Sequence, residues 1–387
     1  MIKTMTAFTF EIDDPDEAMS EILGQIDIKG LYKNSLGILT CYTDFIDSGV
    51  VRAICAAMPF DVIGMTTAGT VVPGTVGEMM LGFLVLTSDD IDFITGAVDI
   101  IDREVDGLIF NAYREACAKH SGRPSMIIPF VPYINNLGGE IIAMSLDKAS
   151  EGTPLFGSLA IDSSADFSLN QAIYNGDTSK TRVVFALLYG DLSPSFFVTS
   201  FAEDKIQKQR GVITKAKDNI LMEVNNMSVC DYLQSIGIQK RDGAWAVSTF
   251  PFVIDYNDGT KPIARSIYLL SEEGYAACGG NIPENATLSV GGIDYSDVIR
   301  TTSETLKQIL QKKNDGSSCL LMFSCLTRYL ALDAFSTDEM DKIRDTLIDF
   351  SGGYIFAYSG GEICPVYTEE GNAMNRFHNC TFIACLL

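Results

Sequence analysis

Two hydrophobic periods alternate along this chain: short apolar runs of strand length, and stripes at helical spacing. Residues 35–44, SLGILTCYTD, form a run that ends in Thr40 and Cys41. In the segment DSGVVRAICAAM that follows, Val50, Val51, Ile54 and Ala57 or Met58 fall on one helical face. FDVIGM then predicts a second strand running into the turn Thr66-Thr67-Ala68-Gly69, and MMLGFLVLT a third strand. Near the C-terminus the order recurs. SSCLLMFSCLTR is a strand ending in Ser324-Cys325, and STDEMDKIRDTLIDF is a helix with Ser336 or Thr337 at its N-cap and Asp338 and Glu339 in its first turn. GGYIFAYSGGE and HNCTFIACLL complete the set. Two related β-α-β-loop-β units, one at each end and derived by duplication, are expected.

Between them the pattern predicts a helix over 104–120, a strand over 124–132 and a helix over 137–148. A β-rich stretch over 155–221 contains RVVFALLYG and SFFVTSF, separated by the turn DLSP. A turn at Asn225-Asn226 precedes a short helix. The strands WAVSTFPFVIDY, RSIYLLS and ATLSVGG follow, then a helix over 295–313. The expected fold is α/β (mixed α+β): two related domains with mixed or antiparallel sheets, stacked or shared, and helices outside. The expected division is a lead-in over 1–29 and domains over 30–224 and 225–387.

Composition narrows the class. With 387 residues, 47% hydrophobic, and a mean hydropathy of +0.17, the chain can bury sizeable cores. No apolar run approaches the ~20 residues of a membrane-spanning helix, so no membrane insertion is expected. Fifty acids against 28 bases leave a net charge of -22, which repels nucleic acid and anionic membranes. The acidic start MIKTMTAFTFEIDDPDEAM has no leader character. Ten cysteines without a C-x-x-C read as reduced thiols of a cytoplasmic protein, and two histidines make a zinc site unexpected.

Candidate chemistry sits at the carboxyl ends of the strands, where α/β folds bind ligands. These are Ser324, Cys325, Thr327 and Arg328 in the C-terminal unit, and Cys41, Thr43 and Asp44 in the N-terminal one. The turns carrying Thr67 and Gly69, and Gly361, offer backbone N–H groups. Arg328 is suited to clamping a carboxylate and Glu362 to taking an ammonium group, so the expected ligand is amino-acid-like or a small carboxylate. Against this, both cysteines can be core residues and Arg328 can pair with Asp333 or Asp345. Neither glycine turn fits a nucleotide fingerprint. His378 has three roles open to it: base for Cys325, axial ligand of a haem iron, or hydrogen-bonded tether of the last strand. His120 reads as a cation at a helix end. No serine elbow, H-E-x-x-H or paired-acid signature occurs, so a binding protein rather than an enzyme is expected.

The segments FDVIGMTTAGTV, PLFGSLAID, NNMSVCDYL, NIPENATLSVG, CLLMFSCLTRYLAL, YSGGEICPVY and FHNCTF occur in the order of the FIST family, and the chain resembles it over residues 30–387. The resemblance implies FIST-N and FIST-C domains in an intracellular sensory module that binds small molecules such as amino acids. One subset of the family resembles haem proteins that sense nitric oxide, and eukaryotic relatives carry an F-box. Ser324, Cys325, Arg328, Gly361, Glu362, His378 and Asn379 match the C-terminal motifs, and Thr67 and Gly69 the N-terminal turn. Departures are Met65-Thr66-Thr67 where a Cys-Ser-Thr-like run is usual, Gly157-Ser158 for Gly-Gly, and Cys380 for Gln. The expected function is a stand-alone sensor whose output passes to a separate kinase, cyclase or chemoreceptor. The alternatives are a haem-binding nitric oxide sensor and, third, a Cys/His acyl-transfer enzyme.

Overall fold

The structure, a computed structural model, describes residues 2–101, 104–134, 138–164, 167–201, 203–240, 250–312 and 319–387. The WAVST part of one predicted strand, Ser317 and Ser318 at the start of another, and the predicted helix ends at Leu137 and Lys313 lie outside the described residues.

Strand Asn34–Cys41 is parallel to Asp61–Thr66 and antiparallel to Leu81–Ser88, which pairs with Lys3–Thr9. Strand Cys319–Cys325 repeats the arrangement: parallel to Gly353–Ser359 and antiparallel to Phe382–Leu386, which pairs with Ser195–Thr199. The two matching ends are thus visible in the pairing itself. A third copy lies between them, where the sequence pattern did not show it. Met126–Val131 is parallel to Gly157–Leu159 and antiparallel to Arg182–Tyr189, which pairs with Asp92–Asp99.

Each unit sends a hairpin into another unit's sheet. Thr70–Val72 with Thr75–Gly77 extends Gly353–Ser359, and Ala172–Tyr174 with Asp177–Ser179 extends Asp61–Thr66. Glu362–Tyr367 with Ala373–His378 extends Gly157–Leu159. The exchange is cyclic: first unit to third, third to second, second to first.

Strand alternation explains the layers. One face of each sheet enters a shared core containing Leu36 and Ile38, Ile128 and Phe130, and Leu321 and Phe323. The opposite faces are covered by helices: Leu39 and Val62 by Pro15–Gln25 and Val50–Ala57, Ile127 and Phe185 by Val105–Cys117 and Gly139–Ala149, and Leu320 and Met322 by Tyr295–Lys312 and Asp338–Thr346. Mixed sheets with helices outside make this the α/β class expected.

Between Ser195–Thr199 and Tyr295–Lys312 the third unit admits another sheet with its own core around Leu221, Phe252 and Leu288. This sheet curls until its edge strands, Ile263–Arg265 and Ile267–Leu270, are consecutive in the chain with Ser266 at the seam. The predicted turn at Asn225 and Asn226, both left-handed, joins Ile220–Val224 to Met227–Ser228 inside it. A split near residue 225 describes segment order, while the sheets themselves interleave.

Candidate functional site

The parallel strands of the second and third units end side by side beneath the seam of the inserted sheet. The chain leaves Cys325 in extended conformation (φ -60°, ψ 140°) and enters helix Leu326–Leu332 at once, so Cys325 and Thr327 both reach the strand tips. A recess of about 120 Å³ opens there. Its walls include Tyr133, Ile161 and Phe167 from the second unit and Cys325, Thr327 and Gly360 from the third, and Ser266 and Tyr268 of the seam cover it.

Hydroxyls and thiols are linked across this boundary. The Ser266 and Thr327 hydroxyls lie 3.1 Å apart, Ser266 Oγ is 3.2 Å from Cys380 Sγ, and the Cys325 thiol donates to Thr327 Oγ1 at 3.7 Å. Burial, with Glu362 alongside, pushes the Cys325 thiol well above its ordinary value, and burial lifts Cys380 to about 11. Both are thiols rather than thiolates at neutral pH.

Glu362 is completely buried beside Cys325. Its Oε1 accepts the Ser359 hydroxyl at 2.5 Å, while Oε2 has no well-aligned partner among the described residues. Desolvation raises its carboxyl well above the usual range and outweighs Ser359, the Cys325 thiol and distant Arg328, which act in the opposite sense. Asn379, 1% exposed, has neither amide atom hydrogen-bonded among the described residues. Gly279 of the inserted sheet lies against that amide so closely that no Cβ would fit, and Gly280 lies likewise against Glu140. The adjacent seam residue Arg265 ion-pairs with Glu140 at 3.0 Å.

Arg328 is not a ligand clamp. Its buried guanidinium donates to Ser324 Oγ, the Ser200 and Val298 carbonyls, the Thr301 and Thr302 hydroxyls, and Glu339 at 2.8 Å, which leaves no N–H for a ligand. Its acid partner is Glu339, not Asp333 or Asp345. Ser324 belongs to the same network, donating to Glu339 at 3.0 Å on the strand face opposite Cys325. Thr67 and Gly69 are fasteners between sheets: the Thr67 hydroxyl donates to the Tyr358 carbonyl at 2.8 Å, and the Tyr358 N–H donates to the Gly69 carbonyl at 3.2 Å. Gly361 accepts the Leu159 N–H and lacks room for a side chain beside Phe377.

His378 donates Nε2–H to the Cys364 carbonyl at 3.0 Å, and burial lowers its pKa to about 4. This is the tether role. The residues do not fit a haem, because that nitrogen is occupied and the recess is smaller than the ~150 Å³ cavity that holds a benzene. Among the described residues no hydrogen bond joins His378 to Cys325, whose thiol donates to Thr327. Cys41 is not the counterpart of Cys325: it packs on the helix side of its sheet with Ile54 and Cys55, since a one-residue offset exchanges the faces of a strand. His120 is 3.0 Å from Asp92.

Sequence reasoning missed Ser266, Tyr268 and Tyr133. Their only signals were an Arg-Ser pair interrupting an apolar run and the pair Gly279-Gly280, which marks a close approach of backbone to a neighbour.

The FIST N domain family matches residues 35–227 and the FIST C domain family residues 228–365. The chain belongs to the FIST family. FIST domains are associated with signal-transduction sensing of small ligands. The two FIST matches meet at 227 and 228, inside the inserted sheet, so each draws strands from sheets that the other completes. A comparison with curated proteins finds no match. No helix among the described residues is long and apolar enough to cross a membrane.

Proposed function

We propose that this FIST protein senses a small molecule held in the strand-tip recess, and that occupancy is reported through the seam of the inserted sheet to a separate signalling protein, a kinase, cyclase or chemoreceptor, in the cytoplasm. The observation that carries this reading is the Ser266–Thr327 contact: one hydrogen bond both covers the recess and joins the inserted sheet to the body. A ligand competing for these hydroxyls alters the contact between the two parts. A useful switch requires a difference in affinity between the two arrangements worth about 1–3 kcal/mol.

The amino-acid-like or small carboxylate ligand expected from the sequence finds Arg328 occupied. The test is calorimetry with a panel of small metabolites, followed by hydrogen exchange over residues 263–270. Binding should weaken at least about tenfold in Ser266→Ala and Thr327→Val. Hits that bind both variants as tightly as the wild type would place the ligand elsewhere.

A further inference from the structure

We infer that the recess selects a small uncharged molecule with an amide- or alcohol-type hydrogen-bonding group and turns carboxylates away because no cation faces it. This rests on the strand-tip recess being the ligand site.

Size sets the first limit. A cavity of ~150 Å³ takes benzene, so the recess of about 120 Å³ takes a molecule slightly smaller. Charge sets the second. Among the described residues no cationic side chain lines the recess. The two buried guanidiniums of this region are spent. Arg328, on helix Leu326–Leu332, is saturated on the far side of strand Cys319–Cys325, and Arg265 donates to the Ala264, Asn281 and Phe377 carbonyls, to Tyr256 and to Glu140. An entering carboxylate is therefore desolvated without a counter-charge.

A neutral amide or alcohol meets none of these costs. Ser266 and Thr327 each have one donor and two acceptor sites, so rotation of their hydroxyls satisfies a carbonyl or an N–H equally well. The apolar remainder of the wall, Ile161, Leu326 and Phe167, suits a short aliphatic body.

Size-matched pairs test this on the full chain: acetamide against acetate and propionamide against propionate, by calorimetry at neutral pH. Ligands this small bind at best in the micromolar range. The amide of each pair should bind at least about tenfold more tightly than its acid and lose binding in Ser266→Ala and Thr327→Val. Titrations in buffers of different ionisation enthalpy should show no proton uptake with the amide, and about one proton taken up with any acid that binds. The proton count is read on the wild-type protein, where an acid enters only in its neutral form, so it holds even if the hydroxyl variants fold poorly. Acids that bind as tightly as amides without proton uptake, with both losing affinity in the hydroxyl variants, would overturn the charge selection and leave the recess as the site. Binding by neither member of a pair, or binding indifferent to Ser266 and Thr327, would remove the recess reading and this inference with it.

Discussion

Ser266 and Thr327 stand 61 residues apart in the chain, yet their hydroxyls are 3.1 Å apart, joining a strand seam of the inserted sheet to the first turn of the helix after Cys325. Around that contact lie two thiols, a buried carboxyl and the recess. Their burial and their partners set what each can do.

Arg328 should matter for stability rather than for binding. Removing one partner of a buried ion pair leaves the other charge uncompensated, so Arg328→Ala should cost about 3–5 kcal/mol in denaturant unfolding. A double variant that also replaces Glu339 by Gln should recover part of that loss. An Arg328→Ala loss within experimental error of zero would mean the network is not held as described.

Glu362 should give the protein an acid-favoured component of stability. Its carboxyl is raised above the ordinary 4.5 in the folded state. Once the pH exceeds that value the unfolded chain releases this proton while the folded one keeps it, so stability falls as pH rises. Relative to Glu362→Gln, the wild type should lose about 1.4 kcal/mol per pH unit at the steepest part of this window. Parallel pH profiles for the two proteins would contradict it.

His378 acts with the opposite sign. Its pKa falls from 6.5 to about 4 on folding, so the unfolded chain binds the extra proton as pH drops between those values. The tether should therefore lose about 3 kcal/mol of its stabilising effect across that window. The check is an imidazole resonance that does not titrate above pH 5 and does not respond to added haem.

Thiol reactivity should follow exposure. Of the ten cysteines only Cys117 and Cys230 are partly exposed, and Cys325 is buried with its thiol held protonated. Brief maleimide treatment followed by mass spectrometry should find label on Cys117 and Cys230 first and on Cys325 only in denaturant. Rapid labelling of Cys325 in the native protein would instead indicate an activated thiol.

Cutting the chain between 227 and 228 should leave two fragments that do not fold separately. The first lacks Gly353–Ser359, on which its own hairpin Thr70–Val72 is laid, and the second lacks Ser195–Thr199 and Gly157–Leu159. Each would expose unpaired strand edges. Native-like circular dichroism and resolved amide signals should appear only when the two are co-expressed.

Much of this was legible in residue order. Alternation within SLGILTC and CLLMFSC and the helical stripe at Val50, Val51 and Ile54 specify local conformation, because a strand or helix buries one face wherever it packs. The family was readable from seven short segments for the same reason: each is a local demand, a tight turn or a close approach. Cys325 and Glu362 were picked out by the same local logic, as polar groups at a strand end and a glycine turn, whereas Asn379 came from the family resemblance.

What required the tertiary structure was partnership. Arg328 has the same residue type whether it faces a ligand or Glu339, and only the packing of helices Tyr295–Lys312 and Asp338–Thr346 over its strand decides between them. The third repeat was hidden because its strand Gly157–Leu159 is short and completed by a hairpin from another unit. Ser266 carries no signal of its own until the sheet curls and brings two edge strands together over Thr327. The sequence determines which faces must be buried; long-range strand exchange, which no local periodicity encodes, determines what each buried face meets.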